Sequence, residues 1–377
     1  MKTLWKYGYV IFLFNTVLYS IDYDIISNKI APFIFYLIMG LYFLFLLINP
    51  KKAIEVFFQR SFISLLFINC INFLYYIFFD GLSDLDSLRY SASRFMQFSL
   101  ILFAVYYNFS YFRSRFFYHL FLILIIITFL GLFVSGDLLS GQFRYTGILW
   151  NANMLSSLVG LCFSMLLLDK DRLLTGKRIY IRLLLMVFLF IILLSTESRM
   201  GVGTIVLSFI FRYGLSFRNI IYSILVFISL IFLQHRLINS DTLEREPQWQ
   251  AAIISISEEP FLGYGLAHYN GYYERYFEGV HGGAHNAYLS ILMQYGLIFG
   301  SIILFIILRW SFSLISYFYT SSEFYIKICV FIIVLTLISS FFETYITGIN
   351  EFQTILFWFS LSFLSLLRHK NSLSHED

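Results

Sequence analysis

The chain has 377 residues, 59% of them hydrophobic and 13% charged, with a formal net charge of +4 and a mean hydropathy of +0.78. Soluble globular domains carry about 25% charged residues, so an ordinary soluble domain is excluded and a polytopic membrane protein is indicated. The basic excess needs no nucleic acid to explain it, because the charges collect in short clusters between apolar runs.

The first run, Tyr7–Ile21, follows Lys2 and Lys6. It lacks a small-residue cleavage site, so it reads as a membrane span and not as a cleaved signal. Eleven further candidate spans follow: Pro32–Ile48, Ser61–Phe79, Phe95–Phe112, Phe116–Val134, Trp150–Leu168, Leu183–Ser195, Met200–Phe211, Ile220–Leu233, Ala284–Leu308, Ile326–Phe342 and Phe352–Leu367. A straight crossing takes about 20 residues, so the shorter runs imply little tilt, local thinning or helices that end inside protein. With the N-terminus in the cytoplasm and alternation thereafter, 18 basic and 6 acidic residues fall inside (+12), against 8 basic and 16 acidic outside (−8). That asymmetry follows the positive-inside rule. The expected fold is all-α, a bundle of about twelve transmembrane helices forming one membrane domain over 1–377, with both termini cytoplasmic. Cys70, Cys162 and Cys329 each lie inside a span and read as packing residues, not as a disulfide framework or metal site. No internal repeat, P-loop, dinucleotide fingerprint or zinc spacing is found, so any work done draws on energy carried by the substrate or on a gradient.

Four polar stretches interrupt the apolar pattern on the outer side. The first, "FRYTGILWNANMLSS", holds Arg144, Asn151 and Asn153; interfacial capping and substrate contact are both open for it. The second, "STESRMG", lies between apolar runs of about 13 and 12 residues, neither of which crosses a ~30 Å core. Glu197 and Arg199 are therefore expected below the outer surface, facing protein or a water-filled cavity. An arginine so placed marks a functional site by default; its alternative is a snorkelling side chain paired with Glu197. The third is a long outer loop, Gln234–Gly283, of about 50 residues, a length that is usually functional or disordered. Within it "PQWQAAIISISEEP" places Trp249, Ala252, Ile253 and Ile256 at helical spacing, with Pro247 suited to a first turn and Pro260 ending the run. A short amphipathic helix is expected there, followed by the glycine- and tyrosine-rich "FLGYGLAHYNGYYERYFEG". Tyr264, Tyr269, Tyr272, Tyr273 and Tyr276 suit either an interfacial aromatic belt or a sugar platform. Arg245 on the same loop is a surface charge or a site residue. The fourth is "EGVHGGAHNAYLSILMQYGLIFG", where His285 and Asn286 stand at the outer N-terminal end of a long apolar run, a place that favours anionic groups. A neutral imidazole there is a plausible base near pH 7. His281 and His285 lie four apart, but the intervening Gly282-Gly283 argues against the helix that a metal pair needs. A plain His-Asn cap without chemistry is the other reading.

Together the stretches "FRYTGILWNANMLSS", "TESRMG", "REPQWQAAIISISEEPFLGYGLAHYN" and "AHNAYLSILMQYGLIFG", between Phe143 and Gly300, resemble the O-antigen polymerase and ligase family of bacterial envelope enzymes. The order of an Arg, a Trp, Pro-x-x-Gly-x-Gly, then His-Asn-x-x-Leu carries most of the likeness. The resemblance implies a metal-independent, inverting glycosyltransferase of the C-type membrane fold, with no cofactor, which takes glycan from an undecaprenyl-diphosphate carrier on the outer face of the bacterial inner membrane. It carries catalytic roles onto Arg199, Arg245 and His285. Asn286, His281, Arg144, Asn153, Glu197 and Tyr264 are the expected substrate contacts, His281 without a firm counterpart. Polymerisation of lipid-linked repeat units is the favoured activity. Ligation of the finished glycan to lipid A core is the close alternative; a lipid-linked glycan flippase, using charges along an alternating-access path, is the rival from another class. A receptor or structural bundle is a further alternative. The implied partners are the lipid-linked oligosaccharide, membrane lipid, a chain-length regulator and a flippase.

Overall fold

A computed structural model describes residues 2–79, 84–134, 144–169, 179–214, 242–268 and 283–373. These form fourteen α-helices: α1 (Lys2–Leu18), α2 (Ala31–Ile48), α3 (Pro50–Phe57), α4 (Ile63–Phe78), α5 (Leu85–Tyr107), α6 (Phe109–Ser114), α7 (Phe116–Val134), α8 (Ala152–Leu168), α9 (Ile179–Ser195), α10 (Arg199–Tyr213), α11 (Thr242–Glu258), α12 (Ala287–Phe318), α13 (Phe324–Ser339) and α14 (Phe352–Leu373). A π-helical turn, Ile26–Ile30, leads into α2. Among the described residues there is no strand, only one antiparallel bridge between Ile21 and Leu149.

Most expected spans within the described residues fall on one helix each, but Phe95–Phe112 is divided between α5 and α6 at Asn108; Ile220–Leu233 lies outside the described residues. By length and apolarity, four helical stretches among the described residues can cross a membrane: Ile26–Ile48, Arg60–Phe78, Phe116–Val134 and Ala287–Phe318. Helices α8, α9 and α13 are apolar but shorter. α9 has 17 residues and α10 has 15, so at 1.5 Å per residue they reach about 26 and 23 Å, short of a ~30 Å core.

The interior is built from α5, α8, α13 and α14. From Phe352 to Leu364 every residue of α14 is buried, as is every residue of α8 from Leu155 to Leu168. By contrast α2 buries Phe35, Ile38, Met39 and Tyr42 while exposing Phe33, Leu37, Leu41, Leu44 and Leu47, the outward apolar face a lipid-contacting helix requires. Where helices meet deep inside, small side chains bring them close. Ser164 and Ser208 hydroxyls join α8 to α10 at 2.7 Å, and a Cβ on Gly160 would stand 2.8 Å from the Thr204 methyl.

Two features of the outer loop differ from the sequence reading. Pro247 is the sixth residue of α11, not part of an opening turn at its start. The face that α11 buries is Gln248, Ala251, Ala252 and Ser255, with Ala251 and Ala252 against Met293 and Ala284, while Ile253 points outward at 59% exposure. Small residues let α11 lie close to α12, which outweighs burying the larger isoleucine. Second, α12 is not continuous: Gly296 has φ 68° and ψ 179°. The chain at Pro260–Gly265 docks into this break. Tyr264 N–H donates to the Met293 carbonyl (2.8 Å), Gly265 N–H to Gln294 (3.0 Å), and Leu297 N–H to Pro260 (2.6 Å). These bonds satisfy backbone groups that the interrupted helix leaves unpaired. Any Cβ on Gly263 or Gly296 would run into the facing backbone. That contact accounts for two glycines of the stretch "PFLGYG…YGLIFG" in purely steric terms.

Candidate active site

The N-terminal ends of α8, α10 and α12 gather around the connection between α13 and α14. Asn151 caps α8, its side chain accepting from Asn153 N–H at 2.7 Å. Asn286 caps α12, accepting from Tyr288 and Leu289 N–H at 3.0 and 3.1 Å. Ser198 stands at the N-cap of α10 without making the cap bond; its hydroxyl donates instead to Asn153 Oδ1 at 3.1 Å. Ala287 N–H donates to the Ser340 carbonyl at 2.8 Å, tying α12 to the end of α13.

Glu343 is the hub of this gathering, and the sequence reading passed it over. Its Oε1 accepts from Arg245 Nη2 at 3.2 Å and from Asn153 Nδ2 at 3.1 Å. His285 Nδ1 lies 3.6 Å from Oε2, an ion-pair distance longer than a hydrogen bond. Arg245 reaches further with its other nitrogen, Nη1 donating to the Phe342 carbonyl at 2.8 Å. Arg144 joins through Asn153, Nη2 to Oδ1 at 2.7 Å, while its Nε donates to the Thr196 carbonyl at 3.0 Å. Of the residues expected from sequence, Arg245, His285 and Asn153 thus meet at one carboxylate, and Arg144 reaches it only through Asn153. Asn151 makes a cap and Asn153 joins the network, and both line the cavity described below.

The others stand apart. Arg199, first residue of α10, is exposed and does not line the cavity described below. Glu197 precedes it with φ +47°. Tyr264 donates its hydroxyl to Glu258 at 2.9 Å and belongs to the docked strip on α12. His281, Tyr269, Tyr272, Tyr273 and Tyr276 lie outside the described residues.

His285 carries φ +44°. A non-glycine residue there is uncommon and costs of order 1–3 kcal/mol, which the surroundings must offset. The cap bonds of Asn286 and the contact of Ala287 with Ser340 hold the backbone on one side of it. The ring is 45% exposed and lines a cavity of about 280 Å³ together with Asn153, Ser157, Glu343, Tyr345 and Glu351.

Glu351 is the second acidic group of this cavity. It is held by the hydroxyls of Thr344 (3.0 Å) and Thr354 (3.1 Å). Burial pushes its carboxyl up to about 7 from 4.5; the nearby Glu343 charge pushes the same way, while the two hydroxyls and Arg94 oppose. Arg94, 3% exposed on α5, donates to the Gly348 carbonyl at 3.1 Å and also to the Thr347 carbonyl; Gln97 donates to Ile349 at 3.0 Å. The turn bearing Glu351 is therefore pinned from beneath by α5. One signal could have revealed both glutamates: "FFETYITGINEFQT" puts two carboxylates in a polar break between apolar runs, the same criterion that singled out "STESRMG".

Chemically, a site with one guanidinium and an imidazole on a carboxylate, a second guanidinium one residue further out and helix N-termini nearby suits an oxyanion substrate and a proton to be moved. Residues 151–305 match the family model described as O-antigen ligase, the segment from α8 into α12 that contains Asn153, Arg199, Arg245 and His285. No curated protein matches the chain. The match supports the O-antigen polymerase and ligase family and a function of that type. With the apolar helices, it also supports a membrane-embedded protein.

Proposed function

From a chain that carries the O-antigen ligase domain at residues 151–305, we propose a polymerase that joins lipid-linked oligosaccharide repeat units by inverting, metal-independent glycosyl transfer from undecaprenyl diphosphate. The observation that supports it best is the convergence of Arg245, Asn153 and His285 on Glu343 at the mouth of the cavity. Lipid diphosphate is its own leaving group, so no nucleotide is needed. Breakage of the anomeric C–O bond leaves negative charge on the diphosphate. Arg245 and Arg144 stabilise that charge through planar donor forks, while Arg199, exposed at the start of α10 and outside the cavity lining, is assigned to the same diphosphate by the family likeness alone. His285 removes the proton from the accepting sugar hydroxyl as its oxygen attacks the anomeric carbon from the opposite face, which inverts the centre. Glu343 orients the ring through Nδ1 and stabilises the imidazolium that forms. Asn286 holds the backbone of its neighbour. The lipid tail stays in the bilayer while the diphosphate and sugar lie where the helices begin.

Twelve spans, cytoplasmic termini and an inner-membrane site facing outward complete the reading; a cysteine placed within Tyr272–Glu278 labels with an impermeant thiol reagent in cells whose outer barrier is opened. A chain-length regulator and a flippase are the expected partners. The decisive assay uses purified protein with a lipid-diphosphate repeat unit and no other acceptor. Longer lipid-linked chains establish the polymerase. Product only on adding lipid A core makes it a ligase, and no transfer in either case refutes the enzymatic reading.

A further inference from the structure

A second, larger cavity of about 570 Å³ adjoins the first, and the two share Tyr19, Asn350 and Glu351 as a common wall. Its floor is the turn Gly348–Glu351, which Arg94 and Gln97 pin from α5. Its sides come mostly from α2 and α5, outside the matched family segment, with Ala267 contributed from within it. Phe35, Tyr36 and Tyr90 bring aromatic surface from two sides. The lining cation, Arg89, is neutralised by Asp86 at 2.9 Å, and Glu351 adds no positive charge. Neither cavity is lined by a surplus of Arg or Lys, and the second offers rings beside polar donors and acceptors. That combination suits a ligand with apolar C–H faces and a hydroxyl-rich edge. Its size lies within the ~300–1,000 Å³ of small-ligand sites.

We infer that this cavity is a glycan subsite, holding the sugars of the accepting substrate so that the terminal hydroxyl reaches the first cavity across the Tyr19–Asn350–Glu351 wall. The inference rests on the transfer reading above. The first cavity, next to Arg245 and His285, holds the diphosphate end of the donor; the second holds neutral sugar.

The variants that test it are Tyr36→Ala and Arg89→Ala. Tyr36 is 71% exposed and the Arg89 side chain 75%, so neither supports the fold, and neither belongs to the transfer machinery. The probe is the lipid-free repeat-unit oligosaccharide released from the host's own surface polymer. Its Kd is read by saturation-transfer NMR on the full-length protein in nanodiscs, beside the Kd of the lipid-diphosphate donor. The expected result is that Tyr36→Ala weakens oligosaccharide binding about tenfold, the loss of one stacking ring, that Arg89→Ala weakens it as well, and that the donor Kd moves less than twofold. Unchanged oligosaccharide binding in both variants overturns the subsite, as does an equal loss for oligosaccharide and donor. Transfer by the parent protein is scored separately, so a protein that elongates chains yet ignores these substitutions refutes the subsite alone, whereas absence of transfer refutes the underlying reading.

Discussion

Replacing Glu343 by Gln removes one charge and keeps one oxygen. That oxygen can still accept from Arg245 Nη2 and Asn153 Nδ2, now 3.2 and 3.1 Å away, so the fold is expected to persist. What is lost is the charge facing His285 Nδ1 at 3.6 Å. Two unit charges at that distance interact by about 1 kcal/mol at the dielectric of water and about 4.6 kcal/mol at an effective value of 20. The ring is 45% exposed and the carboxylate 16%, so solvent screening puts the interaction near the lower limit, about 1–2 kcal/mol. If the imidazolium forms in the transfer step, that energy is lost from the transition state and the rate falls about 5- to 30-fold. The assay is the initial rate of chain elongation in proteoliposomes of matched protein content, at saturating donor. Elongation at the parental rate by a folded Glu343→Gln protein refutes the role given to this carboxylate.

Further expectations concern the backbone, the buried acid and the arginines. Gly296→Ala places a Cβ at φ +68° against the Phe261 carbonyl and should lower stability in detergent by at least about 2 kcal/mol; Gly203→Ala, which meets nothing within 4 Å, is the control that should melt like the parent. Because the Glu351 carboxyl is raised to about 7, the folded state holds its proton more tightly than the unfolded chain. The stabilisation is complete below about pH 4.5 and is lost as pH rises through 7, worth about 3 kcal/mol. Glu351→Gln should therefore gain melting temperature over the parent between pH 5 and pH 8, and a difference independent of pH contradicts the burial effect. Arg245→Lys cannot span the Phe342 carbonyl and Glu343 with one planar fork, and both it and Arg199→Lys should lose at least about tenfold in elongation; parental activity in folded Arg199→Lys would return that residue to a snorkelling surface charge.

The helices were largely legible from apolar runs, because a chain that must satisfy its backbone in lipid has few other options. Asn286 was legible as a helix start, and Asn151 as a possible cap, since side-chain capping is a local matter. Long-range geometry was not legible. Glu343 directly follows the run Ile326–Phe342 that reads as a span, and its partners come from residues 58, 98 and 190 positions away. Gly296 sits in an unbroken apolar stretch, so nothing nearby in sequence reveals that the loop at Pro260–Gly265 enters the helix there. Of the face expected for α11, Ala252 is buried and Ile256 packs beside it, whereas Ile253 points outward and close approach to α12 selects Ala251 instead. Glu351 required knowledge of α5, because Arg94 and Gln97 set the turn that buries it.

The most direct measurement is elongation of a lipid-diphosphate repeat unit by His285→Ala and His281→Ala proteins, each reconstituted at equal amount with donor binding measured alongside. His285 is aimed by its capped neighbour and by Glu343, whereas His281 lies between Val280 and two glycines. The predicted result is no elongation by His285→Ala with donor binding retained, and a loss of less than about tenfold, ~1.4 kcal/mol of barrier, for His281→Ala. Parental elongation by His285→Ala would contradict the assignment of the transfer chemistry to this site.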